Sequence, residues 1–92
     1  MAQPYFDADA DAALTRLEND PNRHRLLAAI NGVLDQLEAD PGHWSVRRNR
    51  FTNGLWCVTV VGDDEEWVIL WEPHPDDPDG FVVQYLGPAS FA

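Results

Sequence analysis

The stretch "LWCVTVVGDDEEWVILWE" (residues 55–72) decides the fold. Its two ends, "LWCVTVV" (55–61) and "EWVILWE" (66–72), are rich in Val, Trp and Ile and flank the polar "GDDEE". Runs of this kind, bounded by turn residues, predict strands. A connection this short makes them antiparallel neighbours. Downstream, "PHPDDPDG" (73–80) leads into "FVVQYLG" (81–87), a third strand, so the last three strands form a meander. Upstream, "SVRRNRF" (45–51), set off by "TNG", predicts a fourth.

Before Pro41 the period changes. Leu26, Ile30, Val33, Leu34 and Leu37 form one apolar stripe, with Asp35, Gln36 and Glu38 off it, which predicts a helix over about 21–39. Asp20-Pro21 caps its start, and Asp40-Pro41-Gly42 ends it. Gly32 sits inside it at about 1 kcal/mol against alanine, which suggests another element packing close there. "DADADAALTRLE" (7–18) admits two readings. Asp7, Asp9, Asp11 and Glu18 have the spacing of an EF-hand calcium loop. However, Ala12 stands where that loop needs glycine for its turn. Ala10, Ala13, Leu14 and Leu17 instead mark one helix face, and aspartates suit a helix start. A helix over 7–18 is expected, with no calcium site. Two helices joined near residues 19–22, then strands, define the expected fold. It is an α+β domain over residues 1–92, with a helical hairpin packed on a mainly antiparallel four-stranded sheet.

Composition limits function. Sixteen acidic residues against six basic ones give a net charge of −10, and every base is arginine. Such a surface repels nucleic acid and anionic membranes at long range. Weak binding to free RNA follows. No apolar run approaches the ~20 residues of a membrane span, so no membrane partner and a cytoplasmic location are expected. Cys57 is the lone cysteine. It excludes an internal disulfide and a cysteine-built metal site, and no metal or cofactor motif is present elsewhere.

The helix "LLAAINGVLDQLEADPGHWSVRRNRF", the basic stretch at its end and the later "LWCVTVVGDDEEWVILWEPHPDDPDGFVVQYLGP" together resemble the RelE/ParE superfamily of bacterial toxins. The resemblance covers residues 6–88. It implies the toxin component of a toxin–antitoxin pair, with a cognate antitoxin as partner. RelE-like members cleave mRNA on the ribosome, and ParE-like members inhibit a protein target, DNA gyrase. The chain departs from the family pattern in its chemistry. Trp56-Cys57 and Trp67-Val68 stand where family arginines fall, and the end reads Pro88, Ala89, Ser90, Phe91, Ala92 without basic residues. The two functional expectations are therefore an mRNA endonuclease with a degenerate site, or a non-catalytic protein-binding module on the same fold.

Candidate residues follow. Arg48 and Arg50, on one face of a regular strand, can clamp a phosphate and stabilise charge in phosphoryl transfer. His74, beside Asp76 and Asp77, is the candidate acid or base. His24 and His43 have weaker claims. Arg47, Trp56, Trp71 and Tyr85 are candidates for RNA or partner binding, since an indole outside the core can stack a base or anchor a protein. The plainer reading makes these arginines solvated partners of nearby acids, His74 a solvated loop residue and the tryptophans core.

Overall fold

The computed structural model describes residues 2–47, 49–50 and 54–89. The order of elements is β1 (Gln3–Phe6), α1 (Ala8–Glu18), α2 (His24–Ala39), β2 (Asn49–Arg50), β3 (Trp56–Gly62), β4 (Glu65–Pro73) and β5 (Gly80–Pro88). Two helices and a five-stranded mixed sheet make an α+β fold. Strands run in the order β1-β5-β4-β3-β2.

The meander stands as expected, with β3 antiparallel to β4 and β4 antiparallel to β5. A bulge at Leu70/Trp71 pairs Leu70 with Tyr85 and Trp71 with Val83. The four-strand count is corrected to five. β1 lies before residue 7, where the sequence pattern assigns no element, and pairs parallel with β5 from Gln3↔Gly80 to Phe6↔Val83. Pro4 is tolerated because β1 is an edge strand. The strand expected over 45–51 is also corrected. Its described part holds a 3-10 turn at Trp44–Val46 and only two strand residues, Asn49 and Arg50. The reason is tertiary: Val46 is buried and its carbonyl accepts the Trp71 indole N–H at 3.0 Å, which draws this segment into the core.

α1 begins where its aspartates predict, with the Asp7 carboxylate accepting the Asp9 amide at 3.2 Å. Ala10 and Leu17 are buried on its inner face. The calcium-like residues do not converge on a point. From Asp9 to Glu18 the helix rises about 13 Å. The second helix is shorter than 21–39, because Pro21–Arg23 forms a 3-10 turn capped by Asp20 before α2 begins. Gly32 is corrected too: it is exposed, and a methyl group there would meet nothing within 4 Å.

α1 lies on β5 and α2 on β3. The core between helices and sheet contains Leu17, Leu26, Ile30, Leu37, Val60, Ile69, Trp71, Phe81 and Val83. Strand alternation sends Cys57, Val68 and Leu70 to the opposite face, where Leu55, Tyr85 and Ala89 pack on them. Burial there pushes the Cys57 thiol pKa up.

The β3–β4 hairpin joins helix to sheet. Gly62 pairs with Glu65, leaving Asp63 and Asp64 as a two-residue turn with φ of 52° and 63°. Positive φ at both central residues fits the twist of a tight hairpin. Asp63 then reaches the start of α2, where its Oδ2 accepts the amides of Arg25 and Leu26, each at 3.0 Å. These are amides a helix leaves unsatisfied at its first turn. A Cβ at Gly62 would lie 2.7 Å from Leu26 Cα, so glycine is required for this approach.

Candidate cation–aromatic site

Across the far end of the sheet, Arg50, Trp56 and Trp71 form one row, through the pairs Arg50↔Trp56 and Trp56↔Trp71. Trp71 is fully buried and meets Phe81 edge-on at 6.4 Å between ring centroids. It is a core residue, with no face available to a partner. Trp56 is half-buried at the margin of the same core, and Arg50 is exposed. Arg47 comes from the segment after α2 and lies over both indoles, 5.5 Å from the Trp56 centroid and 5.4 Å from that of Trp71. The Arg50 guanidinium is 4.6 Å from the Trp56 centroid. All three distances lie within the range of cation–π attraction.

Each guanidinium is also pinned to backbone. Arg47 Nε donates to the Pro41 carbonyl at 2.6 Å, and Arg50 Nε to that of Gly54 at 3.0 Å. Among the described residues neither arginine forms an ion pair; both recorded ion pairs belong to Arg23, with Asp20 and Glu65. The plainer expectation of arginines paired with acids therefore does not describe Arg47 and Arg50. Arg48 lies outside the described residues, and so does the expectation that it shares a face with Arg50.

His74 and Tyr85 stand apart from this row. Tyr85 packs on the sheet face away from the helices, and its hydroxyl donates to the Pro88 carbonyl at 3.1 Å. His74 sits in the β4–β5 loop. Its Nδ1 accepts the amides of Asp76 and Asp77, both at 3.0 Å, and its ring lies 4.2 Å from that of Tyr5. The Tyr5 hydroxyl donates to Asp77 Oδ2 at 2.8 Å. That bond raises the Tyr5 pKa, and with the Asp79 amide it lowers that of Asp77. The Asp77 contribution to stability is thus present above the usual carboxylate range and lost as pH falls through its lowered pKa. The Tyr5 contribution is present below the usual tyrosine range and lost as pH rises through its raised pKa. His24 lies on the Pro21 carbonyl, and His43 is bonded to Ser45 Oγ at 2.7 Å.

A groove of about 420 Å³ opens between α1 and the end of β5, lined by Ala10, Ala13, Leu17, Trp67, Arg16 and Arg23 among others. It lies at the opposite end of the sheet from Trp56. Among the described residues no cluster of His, Cys, Asp or Glu is arranged to hold a metal ion, and no helix is long and apolar enough to cross a membrane. No protein-family model, curated protein or solved structure matches the chain.

Sequence reasoning named Arg47, Arg50 and Trp56 but not their stacking, which depends on Pro41 and Gly54 carbonyls that no side-chain pattern reveals. It missed Tyr5. The one available signal was a tyrosine two residues before an N-cap, too common to select.

Proposed function

We propose that the chain is a RelE/ParE-like member of a toxin–antitoxin pair that acts by binding a protein target rather than by cutting RNA. The observation that carries this reading is the Arg47–Trp56–Arg50 stack, two pinned guanidiniums about an indole with no acid or base attached among the described residues. Acid–base catalysis needs a titratable group within hydrogen-bond reach of the reacting atoms. Here the candidate base, His74, spends its Nδ1 on its own loop. What the stack supplies is recognition. Tryptophan and arginine dominate binding hot spots, and a guanidinium held in place loses less freedom on meeting a carboxylate. A net charge of −10 disfavours a polyanion as the target. The helical hairpin followed by a meander agrees with what the resemblance implies. The neutralising partner on this reading is a cognate antitoxin, and the place of action is the bacterial cytoplasm.

The test is to induce the wild-type chain and Arg50→Ala in bacteria while following growth and mRNA integrity. Growth should slow with mRNA intact, and Arg50→Ala should relieve the arrest without unfolding the protein. Cleaved mRNA at the onset of arrest would instead establish the endonuclease reading. No growth effect from the wild-type chain would remove the toxin assignment. Titration of labelled single-stranded RNA should give affinity weaker than about micromolar at physiological salt.

A further inference from the structure

The β4–β5 loop is closed almost entirely on itself. His74 N–H donates to the Gly80 carbonyl and Gly80 N–H to that of Asp77, both at 3.0 Å. Asp77 Oδ1 accepts the Asp79 amide at 3.0 Å. At the centre is the His74 imidazole, whose Nδ1 accepts two consecutive amides, a position more often filled by Asn or Asp oxygen. An imidazole nitrogen accepts a hydrogen bond only while it carries no proton. The tautomer is thereby assigned: the proton sits on Nε2. Protonating Nδ1 would turn an acceptor into a donor facing two donors.

The loop also holds the first strand. The Tyr5 ring rests on the imidazole and its hydroxyl is bound by Asp77, while Gln3 N–H donates to the Asp79 carbonyl at 2.8 Å. Gly80 is pressed close, since a Cβ there would lie 2.8 Å from Tyr5 Cε2. β1 is an edge strand of four residues, and these contacts add to its parallel pairing with β5 and to the Ala2 N–H bond on the Glu38 carbonyl.

We infer that His74 is the latch of a pH-sensitive clasp between the β4–β5 loop and β1. Histidine is the side chain whose charge ordinarily changes between about pH 5 and 8. With Nδ1 free of a proton the clasp is closed. Once Nδ1 takes up a proton the two amide bonds are lost, the ring leaves its place under Tyr5, and β1 loosens from the loop. The charged or titratable groups on it or its loop are Tyr5 from β1 and Asp76, Asp77 and Asp79; Glu72 on β4 accepts from Gln84, and the end of α2 meets the loop through Ala39 and Pro41, which line a small cleft with Pro78 and Asp79. The carboxylates attract an imidazolium once the ring swings out, which favours the open form in acid.

The experiment is backbone amide hydrogen exchange, expressed as protection relative to the unstructured rate, at about pH 8 and about pH 5. Asp76 and Asp77 should lose protection by about tenfold on acidification, while Ile69 and Val83 in the core hold theirs. His74→Asn keeps an acceptor oxygen without a titrating ring, and should be protected at both values. His74→Ala should be unprotected at both. Unchanged protection of the wild-type amides, or an acid loss that persists in His74→Asn, would overturn the inference.

Discussion

The two ends of β3 treat charge in opposite ways. At the Gly62 end two charges are spent inside the molecule: the Asp63 carboxylate on two helix amides, and Arg23 on Asp20 and Glu65. At the Trp56 end the charges are cationic and held by neutral groups, two carbonyls and the indole rings. A carbonyl and a π face fix a guanidinium in place without neutralising it. The first end therefore serves stability and the second keeps positive charge available on an acidic surface. Substitutions at the two ends, with one elsewhere for scale, test that contrast.

The largest effect belongs to Gly62→Val. With Leu26 Cα only 2.7 Å from a Cβ there, hairpin and helix must part. Overpacking against backbone should lower stability by about 3 kcal/mol, read as a fall in the urea midpoint. A loss below about 1 kcal/mol would show that the junction yields easily. Next is Asp63→Ala. Losing the cap on Arg25 and Leu26 should remove about 1–2 kcal/mol, with the first turn of α2 exchanging faster in the same variant. Asp63→Asn, which keeps the acceptor oxygen, should recover most of it.

Gly32→Ala lies at neither end and sets the scale for an exposed helix site with nothing against it. It should raise stability by about 1 kcal/mol. The smallest effect is expected at the Trp56 end. Arg50→Ala removes one exposed cation–π contact and should cost about 0.5 kcal/mol in thermal or urea unfolding. Its consequence belongs in growth, where the arrest should be relieved. A stability loss as large as that of Asp63→Ala would make the stack a structural clamp and break the contrast.

The two helices and the meander were legible because their signals are local. The stripe from Leu26 to Leu37 repeats with the helix period, and "LWCVTVV" and "EWVILWE" are separated by a turn too short for any other pairing. β1 was not legible. "QPYF" carries a proline and finds its partner, β5, more than seventy residues away, by parallel pairing that leaves no turn in the sequence. The described part of the strand expected at 45–51 is shortened to Asn49 and Arg50 for a related reason. "SVRRNRF" has strand-like composition, yet the indole of Trp71 claims the Val46 carbonyl. At the site, the residue types were visible and their placement was not. Arg47, Arg50 and Trp56 could be named from composition, while Trp71 in the same row is wholly buried and His74 is turned inward on its own loop.

By itself the sequence determined the helix faces, the hairpin order, the acidic surface and the clustering of arginines after α2, since each depends on residues adjacent in the chain or on composition. Only the tertiary structure decided which charges are spent and which remain. Asp63 reads as a turn residue until folding brings it to the amides of Arg25 and Leu26, and Arg47 reads as a solvated cation until Pro41, Trp56 and Trp71 enclose it. The physical reason is range. Periodicity and turn chemistry act over a few residues, whereas capping, stacking and desolvation act between groups that only the folded sheet and helices bring together.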